Sequence, residues 1–363
     1  MKKIIIMAFL ILAAAVAGIL LIHSSRPDTD VTAKRTKIGL LLNGPRTDQS
    51  YCQAHYEALK SLEDDLNLEI ICHESVPVDC DRNIAELIRN EDCKIIIAVS
   101  YPQGASMERA AEKYPEVYFL HATGLGHRNN LSSFFGRMYQ ARYLSGIIAG
   151  MQTETGRIGY VAAFPIPEVI RGINAFTLGA RSVRPDAVVY VRYANSWTRD
   201  DMTKTACWNL LNSHPIDLLT LHSNSIQPLR EAEARGIWSI GYNMDNAAEF
   251  PNTYLTACVW KWDVYYRKQI LNCLQGKFHG DHDWLNLEDG IVELSDFTDH
   301  VDERTKAAVR NADERLRSRE FDVFYGPIKD NAGNLRIEAG ESMSDDEMLN
   351  GFDWYVEGVT IEK

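Results

Sequence analysis

The stretch "KIGLLLNG" (37–44) is an almost unbroken apolar run that closes on Asn43-Gly44. A run with no polar face suits a strand covered on both sides of a parallel sheet, and its Asn-Gly end opens a loop. Residues 48–65 then set Tyr51, Ala54, Ala58, Leu59 and Leu62 at helical spacing, so strand, loop and helix follow in order. The unit recurs. "LEIICHESV" reads as a strand, Asp81 to Asn90 as a helix with an acidic start, "CKIIIAVSY" as a strand, Ala105 to Lys113 as a helix and "VYFLHATG" as a strand.

A second series follows the long helix Gln140 to Met151. "RIGYVAAF", "AVVYVRYANSW", "IDLLTLHSN", "IWSIGYN" and "YLTACVW" read as strands. Helices over "PEVIRGINAFTLGARSV", 200–213 and 226–235 separate the first four of them. Regular alternation of this kind specifies parallel sheets with helices on both faces. The chain thus divides into two similar α/β halves that meet near residues 152–157. The terminal "SMSDDEMLNGFDWYVEGV" needs a docking surface, and the first lobe or the hinge is the expected one.

The chain has 363 residues, 45% of them hydrophobic, enough for two cores. Lys2 and Lys3 precede an uncharged run, Ile4 to Leu21, and polar sequence resumes at His23. Residues 1–23 therefore read as an export segment, either a cleaved signal peptide or a retained membrane anchor, with 24–36 as linker. Either form places the rest outside the cytoplasm, membrane-associated if the segment stays and periplasmic or secreted if it is cut. The seven cysteines lack CxxC or zinc spacing; Cys72 and Cys80 are the nearest candidates for a pair, and the odd count leaves one free. A net charge of −12 with no basic stripe excludes nucleic acid as a partner.

In open α/β sheets the ligand crevice lies beyond the carboxyl ends of the strands. Those ends are Asn43 to Tyr51, Ser100 to Gln103, His121 to Gly124, Phe164 to Glu168, Asn195 to Trp197, His222 to Ser225, Tyr242 to Asp245 and Trp260 to Trp262. They combine aromatics with uncharged hydrogen-bonding groups, which suits a neutral, planar, nitrogen-rich ligand. Several have a structural reading as well. Asp48 can cap the following helix, Asp245 can close an Asx turn, and Trp260 and Trp262, sharing one strand face, can be packing residues. His55, His121 and His222 come from separate loops without ligand spacing, so no metal site is expected. "HRNN" and "HGDHDW" read as polar surface loops. The "NGPRTDQS" loop lacks a nucleotide fingerprint, and no GxSxG, HExxH or paired catalytic carboxylates occur, so neither catalytic residues nor a cofactor is expected.

The stretches "GRIGYVAAFPIPEVIRGINAFTLGA" (156–180), "FFGRMYQARYLSGIIAG", "YANSW", "LHSNS", "YLTACVWKWDVYY" and "GPIKDNAG" to "DWYVEGV" resemble, in order, the basic membrane protein family. These are periplasmic-type purine and purine-nucleoside receptors of ABC importers. The resemblance implies a bilobed type I binding-protein fold, with a first lobe over 37–152, a second over 153–262, and 263–363 completing both lobes and the hinge. It implies a purine as ligand and ABC permease subunits as partners, with oligomeric state left open. By position it places Asp48, Tyr51, Tyr101 and Gln103 on the first-lobe side of the site, and Phe164, Trp197, Asn224 and Asp245 on the second. Trp260 stands where nucleoside-binding relatives carry a Lys for ribose hydroxyls, which favours a free base, adenine above all. The alternatives are a nucleoside receptor, or a sensor of the same fold that signals to a membrane receptor.

Overall fold

The computed structural model describes residues 34–362. The export segment expected over 1–23 and the linker residues 24–33 lie outside the described residues. The first series comprises β1 (Thr36–Leu41), α1 (Tyr51–Lys60), β2 (Leu68–His73), α2 (Asp81–Arg89), β3 (Ile95–Ala98), α3 (Gly104–Lys113), β4 (Tyr118–Ala122) and β5 (Leu131–Gly136). The second comprises α4 (Met138–Gln152), β6 (Arg157–Ala162), α5 (Pro167–Val183), β7 (Val188–Tyr193), α6 (Asp200–Ser213), β8 (Leu218–His222), α7 (Gln227–Arg235), β9 (Trp238–Asn243) and β10 (Tyr254–Trp260). The remainder supplies α8 (Trp262–Leu274), β11 (His282–Leu285), β12 (Val292–Leu294), α9 (Glu303–Arg317), β13 (Ile328–Lys329), β14 (Leu335–Ile337) and β15 (Val359–Glu362). Among the described residues no helix is long and apolar enough to cross a membrane.

Each lobe is built on one sheet, ordered β11-β5-β4-β3-β1-β2 in the first and β12-β10-β9-β8-β6-β7-β15 in the second. In the first, β1, β3, β4, β5 and β11 are joined by parallel pairings. In the second, only the β10–β12 pairing is antiparallel. Parallel strands need covered faces, and those of β1, β3, β6 and β8 are buried almost throughout.

Five expectations change. β5 went unread because Ser132 and Ser133 interrupt its apolar pattern; both are buried, paired to β4 and β11. Part of the loop "HGDHDW" is an edge strand, β11, added parallel to β5. The helix α4, assigned above to the first lobe, packs on α5, β9, β10 and β12 of the second. The terminal segment also docks on the second lobe: Arg171 donates to the Met348 carbonyl, Asn174 exchanges hydrogen bonds with Trp354 and Val356, and β15 extends the sheet beside β7. All seven cysteines are free thiols, so Cys72 and Cys80 are not joined.

Closeness of α4 to α5 rests on glycine. A Cβ on Gly146 would fall 2.0 Å from the Phe176 carbonyl oxygen, and one on Gly179 would fall 2.0 Å from that of Tyr143. Backbone on both sides leaves nothing able to move aside, so the ridge-to-groove distance is set by missing side chains. Gly146→Ala should therefore destabilise the fold by about 1–3 kcal/mol, the cost of overpacking, whereas Gly351→Ala, with open space around it, should be near neutral. Urea unfolding of the two variants checks this; equal midpoints would refute the packing account.

Candidate functional site

In each sheet the first strand of the series lies between the second and the third: β2-β1-β3 in one, β7-β6-β8 in the other. The connections therefore leave in opposite directions at β1/β3 and β6/β8, and the loops at the carboxyl ends of these strands frame the crevice.

On the first lobe, Asp48 is a helix cap. Its Oδ1 accepts from the Ser50 and Gln53 amides at 2.9 and 3.0 Å, and its Oδ2 from the Cys52 amide at 3.0 Å. Three backbone donors use most of its acceptor capacity. Tyr51 donates to the Val99 carbonyl at 2.8 Å, tying the loop after β1 to the end of β3. Burial, then neighbouring Tyr266 and Glu168, push its phenol well above the usual range. Gln103 is buried: its carbonyl oxygen accepts from the Ser100 amide at 3.1 Å, while its Nε2 has no partner. Tyr101, two residues earlier, is 60% exposed.

On the second lobe, Phe164 and Trp197 lie with ring centroids 6.2 Å apart, and Trp197 meets His222 edge to face at 6.1 Å. The Trp197 carbonyl accepts from the Asn224 backbone amide at 2.8 Å. Asp245 is exposed and closes an Asx turn by accepting from the Ala247 amide at 3.0 Å.

The centre of the arrangement is Asn243, which the sequence reading included only as part of a strand end. Fully buried at φ 75°, it donates from Nδ2 to Ser50 Oγ at 2.8 Å and to Asn224 Oδ1 at 3.1 Å. Its Oδ1 accepts from Trp260 Nε1 at 3.0 Å. One amide thus joins a first-lobe loop to two second-lobe strand ends. Nearby, Gln49 donates to Glu249 at 2.7 Å and accepts from Arg230 at 3.1 Å, and its carbonyl accepts from Asn246 at 3.2 Å. These bonds hold the lobes together along this rim.

Trp260 ends β10 and packs against Phe135 of the first lobe. Only 5% exposed, it stacks on Trp262 at 4.4 Å, which in turn stacks on His55 at 4.2 Å. Gly136, where the chain leaves the first sheet, makes room for it: a Cβ there would meet Trp260 Cζ3 at 2.7 Å. Lys261 points elsewhere, toward Glu293 at 3.8 Å.

Beneath the cleft, Arg142 is wholly buried. It donates to the Leu221 carbonyl at 2.8 Å and lies 4.1 Å from the Tyr242 ring centroid. Burial and then the Arg142 charge push His222 down to about 4, so its ring is neutral at pH 7. Burial alone lowers His55. The three histidines serve separate structures: His55 Nδ1 meets Tyr266 Oη at 2.6 Å, His121 Nε2 the Ser100 carbonyl at 2.9 Å and His222 Nδ1 Tyr160 Oη at 3.2 Å. Among the described residues no group of three or more His, Cys, Asp or Glu side chains is placed to hold a metal ion. Buried nitrogens of His55, Trp262, His222 and Gln103 lack partners. Each such group costs about 1–3 kcal/mol, a cost that incoming hydrogen-bond partners would relieve.

The sequence matches the family model described as ABC transporter substrate-binding protein PnrA-like over residues 35–323. It is 33% identical to a purine-binding protein of Brucella abortus (strain 2308), across 95% of this chain and 97% of that one. It is also 33% identical to a putative ABC transporter glucose-binding protein of Haloferax volcanii, across 87% of this chain and 78% of that one. In structure it resembles an ABC transporter solute-binding protein from Aeropyrum pernix K1, with a TM-score of 0.69 at 17% identity over 88% of this chain and 98% of that one. A parallel sheet in each of two lobes, and a family match running from β1 through α9, give the same answer: the chain belongs to the PnrA-like family of ABC transporter substrate-binding proteins.

Proposed function

We propose that this protein captures a purine base, adenine above all, outside the cytoplasmic membrane and delivers it to the permease subunits of an ABC importer. The observation that carries the reading is the near full-length match to a protein described as purine-binding. The cleft supports it. Tyr51, Phe164 and Trp197 supply ring faces and edges, and Gln103 and Asn224 supply amides that distinguish donors from acceptors on a planar edge. Asp48, Asp245 and Trp260 act in this reading by holding α1, the loop after β9 and Asn243 in place. Tyr101, on the exposed rim, contributes an outer ring edge to the ligand. Ligand spanning both lobes favours the closed form through contacts that the open form lacks, and the closed surface is what the permease reads.

A hexose is the second reading, favoured by the description of the Haloferax relative. Sugars also stack on aromatic rings and bond to amides, so direct titration has to separate the two. Calorimetry on the purified full chain, stripped of carried-over ligand by unfolding and refolding, should show tight adenine binding, weaker adenosine binding and no heat with glucose. Tight adenosine binding would move the ligand to the nucleoside; glucose binding with silence toward purines would overturn the proposal.

Trp197→Ala should weaken the base at least fivefold, since stacking on an aromatic ring contributes about 1–3 kcal/mol. An unchanged dissociation constant would remove Trp197 from the site.

A further inference from the structure

Two polar groups flank the second-lobe switch point with nothing bonded between them. Glu168 stands on the first turn of α5, just past β6, and His222 is the last residue of β8. β6 and β8 are hydrogen-bonded neighbours, so the pair sits where open α/β sheets take their ligands. His222 is buried, with Nδ1 facing Tyr160 Oη at 3.2 Å and Nε2 without a partner. The Glu168 Oε1 atom is 3.8 Å from that Nε2, beyond hydrogen-bond range.

The Glu168 side chain is 29% exposed and lies close enough to Tyr51 of the first lobe to bear on its phenol. It therefore borders the space between the lobes. Tyr242, edge to face with His222 at 4.6 Å, and Trp197 at 6.1 Å wall the same spot with rings. The Glu168 carboxylate 3.8 Å from Nε2 favours the neutral tautomer with its hydrogen on Nε2, which leaves Nδ1 to accept from the Tyr160 hydroxyl. The cleft then offers one N–H donor beside one anionic acceptor.

We infer that Glu168 and His222 read the amidine edge of a 6-aminopurine, the exocyclic amino group donating to Glu168 and the adjacent ring nitrogen accepting from His222 Nε2. This rests on the purine reading and deepens it. A 6-oxopurine reverses both contacts, setting a carbonyl oxygen against the carboxylate and a ring N–H against the imidazole donor. Sites built to hydrogen-bond one pattern reject its inverse because buried groups are left unpaired.

The test is calorimetry of the refolded full chain with adenine and with hypoxanthine, alongside thermal melts to confirm folding. The wild type should prefer adenine by about tenfold or more. Glu168→Gln, whose amide can turn either face outward, should collapse that ratio; Glu168→Asp, retracting the carboxylate, should weaken adenine and serves if the amide variant melts early. His222→Asn keeps an atom near Nδ1 but loses Nε2, and should weaken adenine about tenfold, with His222→Gln recovering part of the loss. A folded Glu168→Gln protein with an unchanged adenine to hypoxanthine ratio overturns the inference. So does a wild type that takes both bases equally, although the purine reading then stands. A wild type that takes glucose and no purine removes both.

Discussion

The side chain of Asn243 is the constraint on which the two-lobed arrangement turns. A buried amide must satisfy two donors and an acceptor, and here the partners are Ser50, Asn224 and Trp260, from three separate strand ends. Its backbone sits at φ 75°, a conformation few residues other than glycine adopt and asparagine tolerates best. Because one partner lies on the opposite lobe, the amide is satisfied in full only when the lobes meet.

Around that group the hinge is packed with rings. His55, Trp262 and Trp260 form a continuous stack running from α1 to the end of β10, with Phe135 against Trp260 at 4.7 Å. Rigidity is placed elsewhere. The close crossing of α4 and α5, and the terminal segment locked onto α5 through Arg171 and Asn174, make the second lobe a firm platform for the loops after β6 and β8.

Charge is distributed to the same end. Burial, and then the Arg142 charge, keep His222 neutral, while Arg142 itself donates to the Leu221 carbonyl and lies over the ring of Tyr242. Around the β6/β8 switch point, neutral polar groups and aromatic rings stand beside the Glu168 carboxylate.

Much of this was legible along the chain. Alternation of apolar runs with helical spacing announced two parallel sheets, because strand and helix periodicities are local properties of the sequence. The family resemblance agrees with the family match over residues 35–323. What local pattern could not show was which residues meet. β5 hid behind buried serines, β11 looked like a polar loop, and α4 gave no sign of the sheet it would cover. Asp48 and Asp245 looked like ligand contacts, yet their oxygens serve nearby backbone amides. Asn243 and Ser50, 193 residues apart, carry no sequence mark of their bond. The sequence alone determined most of the elements and the two-sheet α/β class, since these follow from short-range periodicity. Only the tertiary structure decided which polar atoms are used up within the fold and which remain free for a ligand, because that depends on contacts between residues far apart in the chain.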